Sequence, residues 1–217
     1  PLKQIDVQVG GLTQKTTELA NAMDLLNHAG NNYAIGADGV AEAMQRGGTV
    51  LSEYGVSLQD SVGLITAANE AIQDPAKVGN ALKTIAINMA GVKANANKGT
   101  MELNKTAKTL KEIAGIDVYS DKSKGEIKDM VTILDELNVK LKEGKLNQDE
   151  FRAVSEALAG KEQAAVLQSL LGNYETFKQI QSEFNEGLRF GSEKKENIQY
   201  VDSLNGKLNK LKEVWID

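Results

Sequence analysis

Cysteine is absent from this chain of 217 residues. That removes disulfides, thiolate metal sites and cysteine nucleophiles together, and it fits assembly in a reducing cytoplasm. Histidine occurs once, at His28, so a zinc site would need three carboxylates to converge around it. Proline is nearly missing, with 2 residues against 20 glycines. This balance suits many short helices stopped by glycine rather than a proline-rich disordered linker. Aromatics make up only 5% of a chain that is 41% hydrophobic, which leaves Leu, Ile, Val and Ala to fill the core. No run approaches the ~18 consecutive apolar residues of a membrane span. The formal charge of −5 argues against broad contact with nucleic acid, which needs clustered Lys and Arg to neutralise phosphates. The chain begins at Pro1 without an initiator methionine, so it is expected to be an excerpt of a longer polypeptide.

What is present is helical punctuation. In SLQDSVGLITAANEAIQDPAKVGNALKTI, residues 57–85, Ser57 is placed to cap a helix with Asp60 in capping-box spacing. Val62, Ile65, Ala68 and Ile72 then recur at helical intervals and form one apolar stripe. Asp74-Pro75 ends that run and opens the next, with Asp as N-cap and Pro at the first helical position. Val78, Leu82, Ile85 and Met89 make the second stripe. Upstream, Asp38 is a candidate cap for a helix carrying Val40, Ala43 and Met44, and Gly47-Gly48 reads as a break or kink before Gly55 ends the run. Downstream, KANANKG reads as a loop, followed by a helix from Leu103 through Ala107, Leu110 and Ile113 to Gly115. Residues 116–126 interrupt the helical pattern and suit a small extended segment or hairpin. Helices resume through Ile133, Leu137 and Leu141; Asn147 with Glu150 is a second capping-box candidate, and Gly160 is the stop. Gly172 is placed to kink the stretch that runs on through Tyr174, Phe177, Ile180 and Phe184.

The pattern predicts an all-α fold of short, glycine-broken helices in three parts. These are an arm at 1–11, a helical core domain at 12–190 with a sub-division near 92–125, and an amphipathic helix at 191–217. Leu64, Ile65, Leu82, Ile85, Leu158, Leu167 and Leu170 are the expected interior. Val201, Leu204, Leu208, Leu211 and Trp215 follow the alternating three-and-four spacing of a coiled-coil seam and are expected to carry helix–helix association.

Three blocks in register carry a resemblance: AEAMQRGGTVLSEYGVSL (41–58) running into the block above, ALAGKEQAAVLQSLLGNYETFKQ (157–179), and GSEKKENIQYVDSLNGKLNKLKEVW (191–215). Their order and spacing resemble the core region of phage tail tape measure proteins. The resemblance implies a long, mostly helical protein of a phage or prophage tail that occupies the tail lumen, sets tail length during assembly and leaves the tail on infection. It further implies several copies side by side, as trimer or hexamer, and contact with tail tube and baseplate proteins. Localisation would be the virion tail, with assembly in the host cytoplasm.

No constellation of residues points to chemistry, and no cofactor or metal is expected. Glu70, Glu112, Glu136, Glu150 and Glu162 read as solvated faces among lysines rather than as a hydrolase pair, which would need an aromatic-lined cleft. His28 reads as a surface or capping residue. The glycine pairs lack the GxxxxGK pattern of a phosphate loop. The alternative to a structural role is a wall-degrading or membrane-active module that helps the genome enter the host.

Overall fold

The computed structural model describes residues 28–90, 92–95, 100–121 and 126–190. The arm at 1–11, the helical pattern before His28, and all five residues expected to carry association (Val201, Leu204, Leu208, Leu211 and Trp215) lie outside the described residues. The fold is all-α. After a helical turn at 28–32 come α1 (Ala37–Glu53), α2 (Leu58–Ile72), α3 (Pro75–Met89), α4 (Lys105–Ile113), α5 (Met130–Lys142), α6 (Gln148–Ala159), α7 (Ala164–Gly172) and α8 (Tyr174–Phe190). Two small antiparallel hairpins interrupt them, β1 (Val92–Asn95) with β2 (Thr100–Leu103) and β3 (Tyr119–Asp121) with β4 (Glu126–Ile127).

The middle of the bundle is α2, and its sequence explains why. No charged residue stands between Asp60 and Glu70, and every residue from Ser61 to Asn69 is buried. The sequence pattern suggests a single apolar stripe. The helix is instead enclosed on all sides, because Ser61, Gly63, Ala67 and Ala68 are small enough for neighbours to close over the other faces. α1, α3, α7 and α8 surround it. The enclosure has a cost: Thr66 Oγ1 and Asn69 Oδ1 are buried without a hydrogen-bond partner among the described residues, each worth about 1–3 kcal/mol of destabilisation.

Helix ends follow local chemistry. Ser57 accepts from the Asp60 amide at 3.0 Å, Asp74 from Lys77 at 2.9 Å with Pro75 behind it, and Asn147 and Glu150 close a reciprocal capping box. Gly55 and Gly160 stop α1 and α6 with φ of 77° each, a region where a Cβ would be strained.

Four expectations need correction. Gly47-Gly48 does not break α1, which runs unbroken to Glu53. A Cβ on Gly47 would lie 2.6 Å from the Gly79 carbonyl oxygen, so the glycine is there to admit α3. Asp38 sits in the first turn of α1, and Gly36 holds the N-cap position. KANANKG is not wholly a loop: its residues 93–95 lie in β1, which pairs with β2, and α4 starts only after Leu103, with Asn104 capping by accepting from the Ala107 amide. Gly172 ends α7 outright, and a fresh helix begins at Tyr174. The paired strands at 119–121 and 126–127 agree with the extended segment expected near 116–126.

Candidate functional site

Leu64 and Ile65 on α2, Leu82 and Ile85 on α3, Leu158 on α6, and Leu167 and Leu170 on α7 are all fully buried and belong to one contiguous hydrophobic cluster. The sequence offers no hint that polar tertiary contacts concentrate elsewhere, along α8. Its Tyr174 hydroxyl donates to Asp135 Oδ1 of α5 at 2.8 Å, and Lys178 Nζ reaches both oxygens of the same carboxylate, at 2.6 and 2.9 Å. Gln181 donates to Asp60 Oδ1 at the start of α2, while Asp60 Oδ2 accepts from the Ser57 hydroxyl at 2.6 Å. Glu183 Oε2 accepts from His28 Nε2 at 2.9 Å and from the Tyr33 hydroxyl at 3.0 Å, and its Oε1 accepts from Gln179 at 2.7 Å. Between these grips Phe177 and Ile180 are fully buried against Gly63, whose missing side chain leaves them room.

The grouping Glu183–His28–Tyr33 contains the residue types of acid–base chemistry, but its electrostatics are those of a tether. Burial pushes the Glu183 carboxyl up, but hydrogen bonds from His28, Gln179 and Tyr33 outweigh it and hold the group below the usual carboxylate range. His28 Nε2 faces that carboxylate, and Nδ1 takes the Asn32 amide at 3.3 Å, so both ring nitrogens are engaged within the fold. Such a trio fastens α8 to the 28–33 segment. Elsewhere, Glu136 pairs with Lys128 at 2.6 Å, Glu150 belongs to the capping box, and Glu112 and Glu162 are exposed. Among the described residues, no group of three or more acidic or histidine side chains is arranged to hold a metal ion, and no helix is long and apolar enough to cross a membrane.

The two tyrosines make the fold sensitive to alkali. Tyr33 is pushed up from 10.0 to about 12 by burial, by its bond to Glu183 and by the charges of Glu183 and Glu70. Tyr174 is raised further, by burial first, then by its bond to Asp135 and by the charges of Asp135, Asp60 and Asp129. A folded-state value above the unfolded one stabilises fully below the unfolded value and is lost as pH climbs through the folded one. Stability should therefore fall as pH rises above about 10, with Tyr33 contributing up to about pH 12. Denaturant midpoints measured across that window test this. The Tyr33→Phe chain should lose stability less steeply, and an unchanged slope would count against the assignment.

No solved structure matches this chain. The sequence profile of phage-related minor tail proteins matches residues 8–214, nearly its whole length. The chain belongs to the phage-related minor tail protein family, and is a structural component of a phage tail.

Proposed function

We propose that this chain is the core segment of a tail tape measure protein. It acts without enzymatic activity and serves in the assembly that sets tail length before leaving the tail on infection. The observation that carries the reading is the set of three sequence blocks at 41–58, 157–179 and 191–215, standing in register within the family match at 8–214. The mechanism is physical length: a helical rod of fixed residue count spans ~1.5 Å per residue and stops tube polymerisation at a fixed distance. The described helices fold back on one another, so they form a compact body to which such a rod is joined.

In this reading residues 12–190 are the core domain, and 191–217 lead towards the rod. Val201, Leu204, Leu208, Leu211 and Trp215 would join three or six copies inside the tail lumen. Tail tube and baseplate proteins are the partners, and assembly takes place in the host cytoplasm.

Deleting in frame ~70 residues of helical rod from the parent gene should shorten tails by about 100 Å. Electron microscopy of the particles reads this directly. Tails of unchanged length would sink the tape measure role and leave only tail membership standing.

A further inference from the structure

α8 grips the core in an unusual order. Its apolar anchors among the described side chains are Phe177 and Ile180, seated on Gly63 of α2. The remaining grips are polar and stand in sequence along the helix: Tyr174 and Lys178 on Asp135, Gln181 on Asp60, then Glu183 on His28 and Tyr33. Tyr174 is buried, and the others sit at the solvent edge. The Lys178 and Asp135 side chains are each 40% exposed, and His28 and Glu183 are 23% and 33% exposed. Pairs with that much access to water are individually weak. α2 beneath them is enclosed from Ser61 to Asn69 and keeps α1, α3 and α7 around it when α8 is removed.

We propose that α8 is a strap: it detaches from α2 as a unit, while the helices around α2 stay folded. Opening exposes the slot at Gly63 that Phe177 and Ile180 had filled.

Native-state hydrogen exchange on the whole chain tests this, because regions that open locally exchange ahead of global unfolding. Amides of 177–183 should exchange through an opening roughly tenfold or more populated than the one that exposes 62–69. Glu183→Gln should speed the α8 amides by roughly another tenfold and leave those of α2 unchanged. A common rate for α8 and α2 in the unaltered chain, shifting together in Glu183→Gln, would overturn the strap.

Discussion

Gly79→Ala is expected to destabilise the protein by about 2–3 kcal/mol, although alanine is the better helix former by about 1 kcal/mol. The reason is where α1 and α3 cross. A Cβ on Gly79 would lie 2.3 Å from the Ala43 carbonyl oxygen and 2.9 Å from its carbonyl carbon and Cα. These are backbone atoms in the middle of a helix, so no side chain can rotate aside. The two helices must separate, and the separation reaches the buried side chains on both of them: Val40, Ala43 and Leu51 on α1, and Val78, Leu82 and Ile85 on α3. Gly47→Ala meets the reciprocal obstacle, the Gly79 carbonyl oxygen at 2.6 Å, and should behave alike. Gly172→Ala is the control: nothing lies within 4 Å of its Cβ position, and the change should be neutral or stabilise by up to about 1 kcal/mol. Denaturant unfolding of the three variants measures all of this. A Gly79→Ala chain as stable as its parent would refute the close crossing.

That crossing also shows why parts of the fold were legible in the sequence and parts were not. Caps and stops are short-range chemistry. Ser57, Asp74-Pro75 and the Asn147–Glu150 pair each satisfy amides within three residues, so spacing alone reveals them. Burial of Leu64, Leu82 and Leu167 follows from apolar recurrence at helical spacing. Glycine is different, because one residue type serves two opposite purposes. Gly55 and Gly160 end helices, whereas Gly47 and Gly79 sit inside helices to bring two backbones together, and only the partner distinguishes them. The first hairpin was hidden because its strands, VKAN and TMEL, alternate apolar and polar residues over only four positions each, the shortest run in which that signal can be read. The strap was hidden for another reason. Lys178, Gln181 and Glu183 look like any charged helix face, and their meaning lies with Asp135, Asp60 and His28, distant in the chain.

The junction of Phe177 with Gly63 gives the other large effect. Phe177 is fully buried and among the largest enclosed side chains, so Phe177→Ala should cost about 3–5 kcal/mol through lost burial and the cavity left behind. Gly63→Ala alone puts a methyl 3.0 Å from Phe177 Cδ2 and 3.4 Å from Ile180 Cγ2. The ring must shift by a few tenths of an ångström, which offsets the roughly 1 kcal/mol gained from alanine's helix propensity. Combined, the two changes should cost less than their sum. With the ring gone, the new methyl points into the space it vacated, so the propensity gain is realised and part of the cavity is filled. A double-mutant cycle by denaturant unfolding should show a favourable coupling of about 1 kcal/mol, within the range for residues in direct contact. Strict additivity would mean that α8 does not seat on α2 at Gly63, and the strap would lose its apolar anchor.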